Sequence, residues 1–309
     1  MTAHSSRPSL TLATAIADIS AALGRADSQL HRLDGLDRRR EAETLVLTAL
    51  GLGRSMLYQH PDRELSVAEQ ALLADWTRQR QAGMPLAYLS GHREFWSLSL
   101  EVTQDVLIPR PETELLVERA LQCGQTLSQT LTRPVRVLEL GTGSGAIILA
   151  LRKEQALWDL TAVDLSSAAL VIAQRNSQQL ALKDIEFLHG SWFEPVGQRL
   201  FDLIISNPPY VAADDPCLQQ DSLRYEPTLA LTPGADAMHD LRTLIARAPV
   251  HLSPGGWLLL EHGHTQASEV RAELLTRGYT EVQSHRDLAG QWRASEGRIP
   301  SSREDEIPC

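Results

Sequence analysis

Asn207-Pro208-Pro209-Tyr210 follows directly on the apolar run Leu203-Ile204-Ile205-Ser206, and its residue types suit the holding of a planar –NH2 group. Neither proline carries an N–H, and each confines the residue before it to extended backbone. The carbonyls of the segment therefore cannot be consumed by a following helical turn and stay free to accept. The Asn207 amide oxygen is a further acceptor, and Tyr210 adds a flat ring. The plain structural reading is a rigid strand exit without chemistry. A second candidate lies upstream, where Glu139-Leu140-Gly141-Thr142-Gly143-Ser144-Gly145 joins an expected strand to an expected helix. Glycines permit a tight turn and close approach of a ligand to the backbone. The helix N-terminus beyond them offers free N–H groups to an anion such as a carboxylate. Roughly 20 residues on comes Asp164, ending the next expected strand, where an acid suits ribose hydroxyls. The Gly-x-Gly-x-Gly spacing, with Ala146 next, departs from the Gly-x-Gly-x-x-Gly of dinucleotide sites. Trp192, in Gly190-Ser191-Trp192-Phe193, reads by itself as a core residue.

These residues need strands that end side by side. From Val135 onward the pattern is strand, loop, helix, repeated, with strands expected at Val135–Leu140, Leu160–Asp164, Ile185–His189, Leu203–Ser206 and Gly256–Glu261. Helices are expected at Ser166–Gln179 and Asp240–Ala248, among other intervals. Such alternation predicts an open parallel α/β sheet. Upstream, Thr11 to Gly83 reads as a small helical bundle: Ala42, Leu45, Val46, Ala49 and Leu50 repeat at three and four, as one buried helical face requires. Gly51-Leu52-Gly53 ends that helix, and Arg54 to His60 opens a short element. Ser66 and Glu69 stand at capping-box spacing before a helix through Trp76 to about Ala82. Between the two regions, residues 94–102 alternate with period two, as a strand or hairpin does. Pro109 and Pro111 bracket a turn, and Glu112, Thr113 and Glu114 begin a helix. The expected organisation is therefore a helical domain over 1–84, a linker or hairpin over 85–114, an α/β domain over 115–300 and a polar, frayed tail over 301–309.

Composition narrows the function classes. The chain has 309 residues and a net charge of −10, which disfavours gripping nucleic-acid phosphates by bulk electrostatics. No apolar stretch approaches the ~18 residues of a membrane span, and Met1 to Leu10 lacks the pattern of a secretory signal. Cys123, Cys217 and Cys309 are scattered and odd in number, as reduced thiols of a cytoplasmic protein would be. The histidines have no partners at metal-ligand spacing, so no metal site is expected.

Taken together, the glycine loop, Asp164 and the Asn207 tetrapeptide resemble S-adenosylmethionine-dependent methyltransferases that modify amino or amide nitrogens. Pro85 to Trp96, Val106 to Glu114, and Leu223 to Leu231 after the tetrapeptide resemble one family among these: the peptide chain release factor N5-glutamine methyltransferases, the HemK type. The resemblance runs in matching order from about residue 40 to 300. It implies a Rossmann-like methyltransferase domain with a small N-terminal helical domain that recognises the substrate. It further implies methyl transfer to the glutamine amide in the Gly-Gly-Gln sequence of class I release factors, in translation termination, with no direct nucleic-acid binding. On that resemblance Gly141, Thr142, Gly143, Ser144 and Gly145 lie under the methionine part of the cofactor. Asp164 holds its ribose, Trp192 covers its adenine and Asn207 borders it. Asn207, Pro208, Pro209 and Tyr210 hold the glutamine, with Asn207 and Pro208 accepting its N–H bonds and Tyr210 packing on the amide plane.

Three departures from the family pattern stand out. Glu139 replaces the usual Asp, Ala237-Met238-His239 replaces a more usual Gly-Leu-Asp, and Gln291 to Ile299 matches only loosely. Arg110, Glu112 and Glu114 fit either a capped helix start or a hinge beside the cofactor. Glu261 reads as a strand end facing the cofactor edge or solvent, without a catalytic assignment. Arg38-Arg39-Arg40 reads as a solvated helix face. Two other functions share parts of the pattern: an adenine N6 methyltransferase acting on DNA or RNA, and an inactive cofactor-binding partner subunit.

Overall fold

The computed structural model describes residues 10–25, 35–219 and 222–301. The signal-sequence reading at Met1–Leu10 thus falls almost wholly outside the described residues, as do the tail beyond Ser301 and Cys309. The chain divides into two compact units: Met1–Gly91 with Gln219–Tyr225, and His92–Leu218 with Glu226–Cys309.

In the first unit, α1 (Leu12–Leu23), α2 (Gly35–Leu50) and α4 (Val67–Gln81) pack together, with α3 (Met56–Gln59) and α5 (Leu86–Ser90) as short turns. The helical face read from the sequence is the one that packs: Ala42, Leu45 and Val46 are fully buried beside Leu12, Ile16, Leu23 and Leu73, with Ala49 and Leu50 at the rim. The capping box forms as spaced, Ser66 Oγ accepting from Glu69 N at 3.2 Å and Glu69 accepting from Ser66 N at 2.8 Å. Arg63 donates to the same Glu69, and together these hydrogen bonds hold its carboxyl down at about 2. The arginine run forms surface pairs on α2, Arg39 with Glu43 and Arg40 with Asp37. Residues 222–225 rejoin this unit from far along the chain, and the Tyr225 hydroxyl donates to Ala82 O at 2.9 Å.

The second unit opens with the hairpin β1 (His92–Phe95) and β2 (Leu98–Glu101). Its turn puts Trp96 and Ser97 at φ of 51° and 54°, a conformation usually left to Asn and Gly. Side chains from elsewhere hold it: Glu114 accepts from Trp96 N at 2.8 Å, and Lys153 Nζ donates to Trp96 O at 3.0 Å. Glu114 is thereby a hairpin anchor rather than a cofactor-side acid. A short 3-10 turn, Pro111–Thr113, then leads into α6 (Glu114–Ser128).

The central sheet has seven strands: β3 (Arg136–Leu140), β4 (Asp159–Asp164), β5 (Ile185–His189), β6 (Phe201–Ser206), β7 (Leu252–Glu261), β8 (Thr280–Arg286) and β9 (Trp292–Arg298). They lie in the order β5-β4-β3-β6-β7-β9-β8, the first five parallel. The crossover helices are α7 (Ala146–Glu154), α8 (Ser167–Gln179), α10 (His239–Arg247) and α11 (Ala267–Thr276), with α9 (Thr228–Leu231) a single turn. One core on each side buries the strands, as the near-continuous apolar runs of β6 and β7 demand.

The expectation of a purely parallel sheet needs correction. β9 runs antiparallel between β7 and β8. Neither β8 nor β9 carries an apolar run: Ser295 and Glu296 of β9 are both buried, Glu296 because Arg119 grips it at 2.9 and 2.6 Å. A buried polar strand leaves no hydrophobic periodicity to read. The weakly matching stretch Gln291 to Ile299 contains this strand.

Candidate active site

β3, β4 and β6 are hydrogen-bonded neighbours, so their C-terminal ends bring the glycine loop, Asp164 and the Asn207 tetrapeptide to one edge of the sheet. Ser206 Oγ donates to Leu140 O at 2.7 Å, tying the exit of β6 to the end of β3. This edge, at a point where the strand order reverses direction, is where open α/β sheets bind ligands.

A cavity of about 360 Å³ opens there, within the second unit. Gly141, Gly143, Asp164, Trp192, Asn207 and Pro209 line it, as do Asp105–Leu107 and Pro227, Leu229, Ala230, Thr232 and Pro233. Of the residues singled out in the sequence, the structure thus gathers six and leaves five off the wall. Thr142 is buried with its hydroxyl donating to Glu139 at 2.6 Å, and Ser144 is buried beside Asn176. Gly145 is needed for packing, since a Cβ there would stand 3.0 Å from Leu149 and 3.3 Å from Ala173. Pro208 is off the wall, and Tyr210 turns toward the core.

The glycine loop is tied to the end of the neighbouring strand β4. Gly141 N and Thr142 N both donate to Val163 O, and Gly143 N donates to Asp164 Oδ2 at 2.8 Å. Gly143, at φ 55°, has nothing within 4 Å of a built Cβ, so its bare backbone faces the cavity. Asp164 also accepts from Ser166 N at 2.8 Å; burial raises its pKa against these bonds. Glu139 lies behind the loop, its Oε2 accepting from Thr142 Oγ1 and from Ile148 N at 3.2 Å, and burial pushes it up to about 8. The Glu in place of the family's Asp therefore braces loop and helix rather than entering the cavity.

The tetrapeptide is built from long-range bonds. Asn207 Nδ2 donates to Thr113 Oγ1 at 3.3 Å, which turns Oδ1 away from Thr113. The Tyr210 hydroxyl donates to Glu261 Oε1 at 3.0 Å, and Gln266 Nε2 donates to Tyr210 O at 3.2 Å. Tyr210 is thus pinned at its hydroxyl and at its carbonyl. Glu226 makes a comparable stitch at the rim: it is buried, accepts from Ile108 N at 3.2 Å, and pairs with Arg110 at 2.5 Å. That joins the Asp105–Leu107 wall to the Pro227–Pro233 wall. Thr113, Gln266 and Glu226 were not singled out in the sequence. Thr113 and Glu226 lay inside the Val106–Glu114 and Leu223–Leu231 resemblances; Gln266 carries no local signal.

Two family descriptions match: the PrmC N-terminal domain over residues 21–91 and the Methyltransferase small domain over residues 119–221. A release factor glutamine methyltransferase of Xylella fastidiosa is 44% identical over 280 residues, covering 91% of this chain and 98% of its own. Another, of Pseudomonas aeruginosa, is 44% identical over 272 residues, 88% of this chain and 96% of its own. This chain belongs to the release factor glutamine methyltransferase family. Its fold also extends beyond the family: the hMettl16 catalytic domain, solved with the MAT2A 3'UTR hairpin 1, superposes with a TM-score of 0.53 at 16% identity, over 70% of this chain and 79% of that one.

The cavity fits the methyl donor of release factor glutamine methyltransferases, S-adenosylmethionine. It offers bare glycine backbone at Gly141 and Gly143, a half-buried carboxylate at Asp164 and an indole at Trp192. A built Cβ on Gly141 would stand 3.9 Å from Trp192 and 4.0 Å from Asn207 O, so glycine loop, tryptophan and tetrapeptide converge on one point. Among the described residues no group of three His, Cys, Asp or Glu could hold a metal ion, and no helix is long and apolar enough to cross a membrane.

Proposed function

We propose that this chain transfers a methyl group to the side-chain amide nitrogen of the glutamine in the Gly-Gly-Gln sequence of class I release factors, in the cytoplasm. The observation that carries the reading is Asn207: it lines the cofactor-shaped cavity while its amide nitrogen is engaged by Thr113, so its Oδ1 is the end free to accept. S-adenosylmethionine supplies an electrophilic methyl on a sulfonium. Gly141, Gly143, Asp164 and Trp192 are the residues that would hold it, Asp164 at the ribose and Trp192 over the adenine.

The chemical difficulty lies in the acceptor, because an amide lone pair is delocalised into its carbonyl. Asn207 Oδ1 and the Pro208 carbonyl accept the two N–H bonds of the glutamine, orient its nitrogen and support the positive charge that develops there. Alignment and preorganised dipoles of this kind are what accelerate such a reaction. The proline pair keeps both acceptors out of any helical turn. The N-terminal helical unit serves to recognise the folded release factor, and nucleic acid is not a direct partner.

The test is transfer from labelled S-adenosylmethionine to recombinant release factor, with the Gly-Gly-Gln glutamine changed to alanine as control. Label in the wild-type factor and none in the control is expected. Label in DNA or RNA would make the chain an adenine N6 methyltransferase, and cofactor binding without turnover on any of them would make it a partner subunit.

A further inference from the structure

Residues 226–234 carry the cavity wall made by Pro227, Leu229, Ala230, Thr232 and Pro233. The far end of this segment is fastened by backbone, from the chain just past the tetrapeptide. Val211 N donates to Leu231 O at 3.1 Å, and Ala213 N donates to Gly234 O at 2.9 Å. Its near end is fastened by a side chain: Glu226 Oε2 accepts from Ile108 N at 3.2 Å, and Oε1 accepts from Arg110 at 2.5 Å. Of residues 226–234, all of them described, only Glu226 is buried, and Leu229 lines the cavity while 53% exposed. A segment with no buried apolar side chain has little hydrophobic hold on its surroundings. Here the one residue taken out of water is the charged one, a cost that only well-placed partners offset.

We propose that residues 226–234 are a strap over bound S-adenosylmethionine and that the Glu226–Arg110 pair is the positioning device that keeps it fastened, so that the pair sets how long the cofactor stays. The inference rests on the cavity being the cofactor site, as in the function proposed above, and not on the identity of the methyl acceptor. The surface to which the strap is fastened is itself fixed. Val106 and Ile108 are buried, and Arg93 Nε of β1 donates to Pro109 O at 3.3 Å. Pro227 has no N–H and confines Glu226 to extended backbone, so the strap leaves its fastening in a set direction. The carboxylate meets two donors with two acceptor oxygens, a match that a neutral amide does not make. The Arg110 side chain is one-third exposed, which puts the pair at the solvent edge of the cavity.

Undoing the pair leaves the far-end bonds at Leu231 and Gly234 in place, so the strap swings at its near end and the cofactor leaves past Pro227 and Leu229. The glycine loop and Asp164 are untouched by this. So is the bond from Thr113 N to Arg110 O at 3.1 Å, a backbone contact that a side-chain change at 110 leaves standing. Asn207 therefore keeps its Thr113 partner, and the effect of losing the pair belongs to cofactor retention.

The experiment is release of preloaded, tritiated S-adenosylmethionine from the full chain, chased with unlabelled cofactor, for wild type, E226Q, R110Q, R110K and the double variant E226Q/R110Q. E226Q keeps the shape but turns an NH2 toward one of the two donors. Its off-rate should rise ~10-fold, the scale of a charge-assisted hydrogen bond exchanged for a neutral one. R110Q should match it, and the double variant should be no faster than the faster single one, as two halves of one interaction require. R110K should restore most of the retention, since the contact is made by one guanidinium nitrogen. In methyl transfer to the release factor the loss should fall on the cofactor KM rather than on kcat. A merely structural role would lower the folded fraction and leave the off-rate of bound cofactor alone. A wild-type off-rate in E226Q overturns the inference. Should E226Q prove unfolded by circular dichroism, R110Q decides, and a wild-type off-rate there overturns it equally. Failure of the wild type to bind S-adenosylmethionine would also overturn it. Failure of the wild type to methylate the release factor would overturn the functional reading alone, because the off-rates are read without a methyl acceptor.

Discussion

Two glutamates, both 1% exposed, sit behind the two halves of the site and are wired differently. Glu139, in β3, serves groups close by in the chain, the Thr142 hydroxyl and Ile148 N. Glu261, ending β7, serves the Tyr210 hydroxyl 51 positions away. The cofactor shelf therefore needs only β3 and β4 to pair, since its loop donates to Val163 O and to Asp164 at the end of β4. The acceptor shelf exists only after β6, β7 and the Pro111–Thr113 turn have assembled. Burial is the same in both places; the distance in sequence over which it is compensated differs.

If the shelves have separate tasks, variants should separate kcat from cofactor affinity. The largest effect is expected of Asn207→Ala, which removes an acceptor from the developing charge and should lower kcat by ~100-fold or more, by analogy with losing one oxyanion-hole donor. Cofactor affinity should change far less, a split readable from turnover rates beside calorimetric titration. Near-normal turnover in a folded N207A would sink the assignment of the tetrapeptide. Asp164→Ala should show the reverse split. It removes the acceptor for Gly143 N and Ser166 N as well as the cavity's carboxylate, so S-adenosylmethionine binding should weaken by ~30-fold, about 2 kcal/mol. At saturating cofactor its kcat should stay within about 3-fold of wild type, since the acceptor shelf is intact. Equal losses in both parameters for both variants would mean that the two shelves act as one unit.

The same contrast governs what could be read from the chain beforehand. The α/β class, the helical N-terminal region, five of the seven central strands and the Ser66 capping box each leave a periodic or spaced signal, and each is present. Gly141, Gly143, Asp164 and Asn207 were legible because their chemistry is carried by their own types. Thr142, Ser144 and Gly145 were read by adjacency in the loop, yet a tight turn must alternate what it exposes and what it buries. Thr113 and Gln266 were illegible because nothing near them in sequence says that Asn207 and Tyr210 will arrive. β9 failed to register because Arg119 neutralises its buried Glu296 from another element, a compensation no window of sequence contains.

The smallest and most discriminating effect is on stability. Burial lifts Glu139 to about 8 and Glu261 to about 7, both above the ordinary 4.5 that holds in the unfolded chain. Between those values the folded state keeps protons that the unfolded state has lost, so each group makes stability fall as pH rises from about 4.5 toward its folded pKa. Above that pKa the fall stops, and below 4.5 both states are protonated. Each contribution should approach on the order of 1 kcal/mol per pH unit. E139Q and E261Q cannot titrate, so urea melts between pH 5 and 8 should show a flatter profile for each than for wild type. E261Q should lose its part of the slope by about pH 7, E139Q about one unit higher.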